Sequence, residues 1–395
     1  MLEASKIDEV LPWKSPDFRA NPYPWYARLQ RDFPVLQTSE KDFVVTRYDD
    51  YMEFVRHPSM TVVEPTWVPD NAWHALRNTV LFIEPPKHTH MRRQTNKWFT
   101  PKLVKDWVKI CAEEAGKALD SMGMDGCIEA HQHLCINPTH ITMCRILDVP
   151  EEDVESALVA NDKILGALSP TSGEAEERSA VQAFEFLSQR CKAMIDRKRE
   201  NPGNGLVDSL LESQRKGEMT EEEVLQTVVL FYFSGAPNPS YVLASAIEHF
   251  ARNPETFTLY RTNPASRALV INELIRLYPP ELSFVRFTTA DVEIRNVQIP
   301  AGSRVRFMTA AANRDENVFC NPNLFDHTRP PEKSQNLSFG TGTHSCAGQL
   351  ISRAEIESVL TVIAERFERI EITDQPTMNI DDRVRNYLTL PIRLY

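Results

Sequence analysis

Residues 339–348 read Phe-Gly-Thr-Gly-Thr-His-Ser-Cys-Ala-Gly and surround Cys346 with Gly340, Gly342 and Gly348, in a chain of 395 residues that holds only 13 glycines. Glycine weakens regular structure and serves where the backbone turns sharply or comes close to a partner. Behind the cysteine, apolar residues at Leu350, Ile351, Ala354, Ile356, Val359, Leu360 and Ile363 have the spacing of a buried helix that starts near Ala347. A thiolate at a helix start is stabilised by free N–H groups and by the positive dipole end. Cys346 therefore has three possible roles: packed thiol, nucleophile or metal ligand. A packed thiol leaves the glycines unexplained. A nucleophile needs a base, and His344, two residues away, need not face the sulfur.

Composition narrows the class. Lys and Arg number 44 against 55 Asp and Glu, a formal charge of −11, which argues against a nucleic-acid partner. The start lacks a charged segment followed by an apolar run, and no stretch of about 18 apolar residues appears, so neither a signal peptide nor a membrane span is expected. Seven cysteines, Cys111, Cys127, Cys135, Cys144, Cys191, Cys320 and Cys346, form no Cys-x-x-Cys pair, which speaks against disulfides or a structural zinc. A cytoplasmic, monomeric globule is expected.

Helical spacing recurs near 22–32, 101–120, 151–168, 176–200, 205–214, 220–252, 254–261, 264–278 and 347–366. Extended runs occupy 43–47, 292–308 and 384–395, the second containing a turn at Pro300-Ala301-Gly302. The expectation is mainly α with minor β sheets, as one domain over 1–395.

A thiolate ligand to haem iron accounts for the cysteine, the glycines and the helix start together. The loop resembles that of the cytochrome P450 family, Phe-Gly-x-Gly-x-His/Arg-x-Cys-x-Gly, at Phe339, Gly340, Gly342, His344, Cys346 and Gly348. Glu273-Leu-Ile-Arg276 resembles the family's Glu-x-x-Arg, and Phe325-Asp-His-Thr-Arg329 the segment whose arginine completes that triad. Ala312-Asn-Arg-Asp315 and Pro85-Pro-Lys-His88-Thr-His-Met-Arg92 also look like family segments, and the likeness runs from Asn21-Pro22-Tyr23 to Leu390-Pro391. The resemblance implies the cytochrome P450 fold, with haem b between a long distal helix and the helix that follows the cysteine loop. It also implies Cys346 as iron ligand, with Phe339 and Gly348 in its loop, and propionate contacts from His88, Arg92, Arg286 and His344. Glu273, Arg276 and Arg329 would form a structural triad.

The helix expected at 220–252 departs from the family pattern. Its centre is usually Ala/Gly-Gly-x-Asp/Glu-Thr, an acid and an alcohol that bring protons to oxygen; here it is Phe233-Ser-Gly235-Ala-Pro-Asn238-Pro-Ser-Tyr241. Both usual groups are absent. Two prolines remove the amides that would reach the Phe233 and Gly235 carbonyls, so a kink with two free carbonyls is expected. Asn238 offers a donor and an acceptor but cannot act as an acid. Gly235 and Asn238 are the candidate catalytic positions.

The resemblance implies a monooxygenase that hydroxylates or O-dealkylates a small hydrophobic substrate with O₂ and electrons from a ferredoxin or flavodoxin-like partner. Arg92, Arg93, Lys97, Lys102 and Lys105 could receive an acidic partner, although such charges are usually only solvated. Non-hydroxylating oxidation (coupling, nitration or peroxide-driven) and a non-catalytic haem sensor are the alternatives. Pocket positions implied by the resemblance lie within 62–84 and 164–186, around Phe233–Asn238, at Leu282–Val285 and at Asn386–Tyr387, and include Trp73, Phe82, Phe233, Leu282, Val285 and Tyr387.

Overall fold

The computed structural model describes residues 4–167, 171–379 and 383–395. They are mostly helical with small sheets, as the apolar spacing implies, and fall into two compact units. One comprises 1–69, 268–346 and 378–386, the other 70–267, 347–377 and 387–395.

The first unit is built on a five-stranded sheet in the order Val35–Gln37, Asp42–Val45, Arg304–Phe307, Phe284–Thr288, Met60–Thr61. Asp42–Val45 runs parallel to Arg304–Phe307, with Phe43 opposite Val305; the other pairings are antiparallel. Alternation puts Phe43, Val45, Val305 and Phe307 into a core with Tyr51, Ile294 and Phe319. The run expected to be extended over 292–308 contains a second turn besides the one at Gly302 (φ +78°). Arg295 (φ 49°) and Asn296 (φ 63°) both adopt left-handed backbone between Val292–Ile294 and Val297–Ile299, as a two-residue hairpin requires. The Arg295 side chain is held there by Asp50, at 2.5 Å.

The second unit is helical. Pro101–Asp120 packs along Gln349–Arg366, and Arg366 reaches Asp120 at 2.6 Å beside Gly116, where a Cβ would lie 3.2 Å from the Arg366 guanidinium. The helix after the cysteine loop thus begins at Gln349, two residues later than its apolar pattern implies, and Leu350 is exposed. The helix Asn137–Ile146, which no apolar periodicity announces, lies against Glu221–Gly235 and Pro237–Arg252. Its buried face includes Thr139, His140 and Thr142, so the polar composition hides the pattern.

Glu355, on the Gln349–Arg366 helix, is fully buried, and neither carboxyl oxygen has a hydrogen-bond partner. Burial pushes its pKa well above 4.5, so the folded state holds a proton that the unfolded chain releases. The stabilisation is complete below 4.5 and is lost as pH rises through the folded value. Glu355→Gln, which keeps the shape without the titration, should therefore gain stability over wild type progressively as pH rises above 4.5, by up to about 1.4 kcal/mol per pH unit. Urea unfolding across that range measures it, and a pH-independent difference contradicts it.

Candidate functional site

In the first unit, the Cys346 loop is tied to a buried ion cluster. Glu273 and Arg276 sit one turn apart on Arg267–Leu277 and pair twice, Nε to Oε2 at 2.8 Å and Nη2 to Oε1 at 2.7 Å. Arg329 donates to the same carboxylate at 3.0 Å, as does the Asp326 amide. The three side chains are buried, Arg276 completely. Burial alone would raise the Glu273 pKa; the bonds and charge of Arg276, with the bonds from Arg329 and the Asp326 amide, hold it below the usual range. Spare guanidinium protons go to carbonyls: Arg276 to Asn313 and Pro322 at 2.7 and 2.8 Å, Arg329 to Cys320 at 2.7 Å.

Asn313 carries this order into the loop. Its backbone carbonyl receives Arg276, its side-chain oxygen receives the Leu337 amide at 2.7 Å, and its amide donates to Ser338 at 2.9 Å. The Leu337 carbonyl then accepts the Gly340 amide at 2.9 Å, and the Phe339 carbonyl accepts the Cys346 amide at 2.8 Å. Gly340 and Gly342 have φ of +65° and +75°, which L side chains rarely adopt, and a Cβ on Gly342 would meet Arg56 at 2.7 Å. Cys346 is exposed at the end of this loop, and His344 is half-buried. Four other cysteines, 111, 135, 144 and 191, are buried, which raises their thiol pKa values and keeps them protonated. An accessible thiol on a glycine-shaped loop braced from behind suits a thiolate ligand to a flat cofactor. Arg286, half-buried on Phe284–Thr288, belongs to the same unit.

The second unit holds the remaining candidates. His88 is buried on Lys87–Asn96 with Arg92 one turn further along the same face, a pairing suited to an anionic group. The 220–252 stretch is two helices, not one kinked helix: Glu221–Gly235 and Pro237–Arg252, interrupted at Ala236. The first opens on a capping box in which Thr220 and Glu223 each accept the other's amide. The prolines now have a simple account. Pro237 is the first residue of the second helix and Pro239 the third, positions whose amides have no intrahelical acceptor in any helix. Asn238 lies between them, half-buried. The Ala236 carbonyl accepts from the Thr139 hydroxyl at 3.1 Å, and the Pro237 carbonyl from Ser240 at 2.7 Å.

Among the pocket candidates, Trp73 meets Phe184 and Phe233 edge-on, those two rings lie tilted to each other, all with ring centres 5.1 to 6.1 Å apart, and Phe82 packs against the same cluster. Val285 is half-buried. Phe233 is itself buried in that cluster, and two further candidates are buried in the core elsewhere. Leu282 is packed with Phe18, Leu29 and Met308, because its amide and carbonyl are fixed to Arg383 and Ala310. Tyr387 is buried with its hydroxyl on Glu248. Residues 168–170 of the expected pocket and helix stretch lie outside the described residues. Asn313, Thr139 and Met143 escape sequence reasoning as site-shaping residues; the Ala312-Asn-Arg-Asp315 segment was the one available signal, for Asn313.

The Cytochrome P450 family model matches residues 268–394. Over these residues, and along most of its length in the comparisons that follow, the chain is similar to cytochromes P450. It is 26% identical to the biotin biosynthesis cytochrome P450 of Bacillus subtilis, over 91% of this chain and 92% of that one. It is 28% identical to the mycinamicin IV hydroxylase/epoxidase of Micromonospora griseorubida, over 88% of each. Ligand-free CYP164A2 from Mycobacterium smegmatis superposes with a TM-score of 0.88 at 26% identity, covering 99% of this chain and 100% of that one. P450BioI, bound to an acyl carrier protein ligated with hexadec-9Z-enoic acid, superposes at 0.90 over 96% and 99%, though at 23% identity this likeness concerns the fold alone. The matching relatives are cytochrome P450 enzymes, a hydroxylase/epoxidase among them, and mark the chain as an oxidoreductase of that kind. Among the described residues, no helix is long and apolar enough to cross a membrane.

Breaking the ion cluster should be severe. Glu273→Ala or Arg276→Ala strands buried charge at a cost of roughly 3–5 kcal/mol and should yield little haem-loaded protein. Asn313→Ala leaves the buried Leu337 amide without its acceptor, about 1–3 kcal/mol, and should lower haem retention more than the melting temperature. Haem-to-protein absorbance ratios and thermal melts measure both effects.

Proposed function

We propose that this P450 binds haem b and inserts one O₂-derived oxygen atom into a small hydrophobic substrate, by hydroxylation or by loss of an O-alkyl group. The balance is RH + O₂ + two electrons + two protons giving ROH and water, with the electrons from a ferredoxin or flavodoxin-like donor in the cytoplasm. The observation that carries the reading is the accessible Cys346 on its braced glycine loop. Bound haem supplies a thiolate-ligated iron whose electron-rich character favours O–O cleavage. Cys346 provides the thiolate; His88, Arg92, Arg286 and His344 neutralise the two propionates. The Trp73, Phe184 and Phe233 rings offer an apolar, rigid wall for the substrate body.

Protons reach the reaction by a route without a side-chain acid. Position 237 is proline and position 238 asparagine, so no carboxylic acid or alcohol stands where the family usually has them. Asn238 orients a water through its amide, accepting with its oxygen or donating with its nitrogen, and water or the substrate itself delivers the proton. The same absence favours a second reading, in which the enzyme performs a non-hydroxylating oxidation such as ring coupling, nitration or a peroxide-driven reaction. Product formation with NADH and surrogate reductases, compared with peroxide alone, separates the two.

Two outcomes test the primary reading. Cys346→Ala should abolish the strongly red-shifted Soret band of the ferrous carbonyl complex, while Cys191→Ala and Cys320→Ala retain it; a normal band in the Cys346 variant rules the assignment out. Asn238→Ala should lower product formed per NADH consumed and raise peroxide correspondingly. An unchanged ratio removes Asn238 from oxygen handling.

A further inference from the structure

With no acid and no alcohol at 237 and 238, the chemistry of the distal centre depends on where the backbone break holds Asn238. That break lacks the bonds that normally set helix direction, because prolines at 237 and 239 leave no amide for the Phe233 and Gly235 carbonyls. The helix Asn137–Ile146 grips it from the side. Thr139, fully buried, donates its hydroxyl to the Ala236 carbonyl at 3.1 Å. Met143, four residues on and so on the same face, fills the space where Gly235 has no side chain: a Cβ there would lie 2.1 Å from Met143 Cε and 2.9 Å from Sδ. The two contacts meet adjacent residues of the break from adjacent turns of one helix. We propose that Thr139 and Met143 are positioning residues that set the angle between the two half-helices and hence the placement of Asn238, an inference that rests on the haem-thiolate reading above.

The hydroxyl contact is also adjustable. Thr139 has one proton to donate, and three carbonyls lie within its reach: Ala236 at 3.1 Å, and Cys135 and Ile136 of its own turn at 3.0 and 3.1 Å. Donation to Ala236 clamps the break; donation to its own turn, a common habit of threonine in helices, releases it. The Met143 contact is made by the flexible end of its side chain, Cε and Sδ, which fills the space a Gly235 side chain would take and must turn aside to admit one. Thr139 thus controls the hinge's stiffness, and Met143 its closest approach.

The test uses haem-loaded protein with carbon monoxide as the probe, together with hydrogen exchange of peptides covering 230–245. Thr139→Val, which keeps the shape and removes the hydroxyl, should exchange the Asn238, Ser240 and Tyr241 amides about threefold faster or more. It should also shift or broaden the C–O stretch, with haem content unchanged. Thr139→Ser should restore both. Gly235→Ala should disturb the same two readouts, and adding Met143→Ala should reverse that disturbance. Wild-type exchange and an unmoved C–O stretch in Thr139→Val overturn the Thr139 assignment. A double variant no closer to wild type than Gly235→Ala alone overturns that of Met143. If Thr139→Val fails to load haem, Thr139→Ser and the Gly235–Met143 pair decide: wild-type readouts in the serine variant together with rescue in the double variant support the proposal, and loss of either overturns it. Absence of the red-shifted carbonyl band in wild type defeats the haem-thiolate reading itself, an outcome distinct from all of these.

Discussion

The carboxylate of Glu273, buried between two arginines, is the constraint on which the cysteine loop depends. An isolated buried charge would cost several kcal/mol, and the site is tolerable because both carboxylate oxygens and every nitrogen of the two guanidinium groups are hydrogen-bonded. That requirement reaches well beyond the triad. To satisfy Arg276 and Arg329, the carbonyls of Asn313, Cys320 and Pro322 must all converge on it. Fixing the Asn313 backbone fixes its side chain, which in turn holds Leu337 and Ser338, where the cysteine loop begins. A polar network made to neutralise charge therefore acts as a template for a loop whose glycines leave it little intrinsic rigidity.

The two halves of the chemistry are supported by different physics. The thiolate side relies on charge and hydrogen bonds in a dry interior, strong and directional but costly if any member is lost. The side proposed for oxygen relies on backbone geometry. Its helix break is produced by two prolines that would be ruinous inside one continuous helix, yet cost little at the first and third positions of a new one. What they remove is the ladder across the junction, and side chains of a neighbouring helix contact it there, Thr139 at the Ala236 carbonyl and Met143 beside Gly235. The departure from the usual acid–alcohol pair is accordingly a change in architecture as much as in residue type.

What was legible in the sequence was local. Phe339 to Gly348 lies within ten residues, so glycine content, thiol and helix start could be read together. Glu273 and Arg276 share a helix face at i and i+3, a spacing the sequence displays directly. The long helices were visible because one face is apolar, and their ends were off by one to three residues where caps decide the boundary, as at Gln349.

Tertiary structure decided what depends on distant partners. Arg329, expected beside Glu273 only through the family resemblance, joins it across 56 positions, and Asn313 joins Leu337 across 24, distances at which residue spacing by itself offers no register. The strands Val35–Gln37, Met60–Thr61 and Cys127–Glu129 are too short to show alternation and exist because a neighbouring strand offers a free edge. The helix Asn137–Ile146 buries threonines and a histidine whose polar atoms are partly satisfied by carbonyls elsewhere, such as Val154 for His140. Hydrophobic periodicity cannot reveal a face stabilised by hydrogen bonds rather than apolar area. Leu282 and Tyr387 illustrate the same limit: an apolar or aromatic residue reads alike whether it faces a ligand or the core, and only packing tells the two apart.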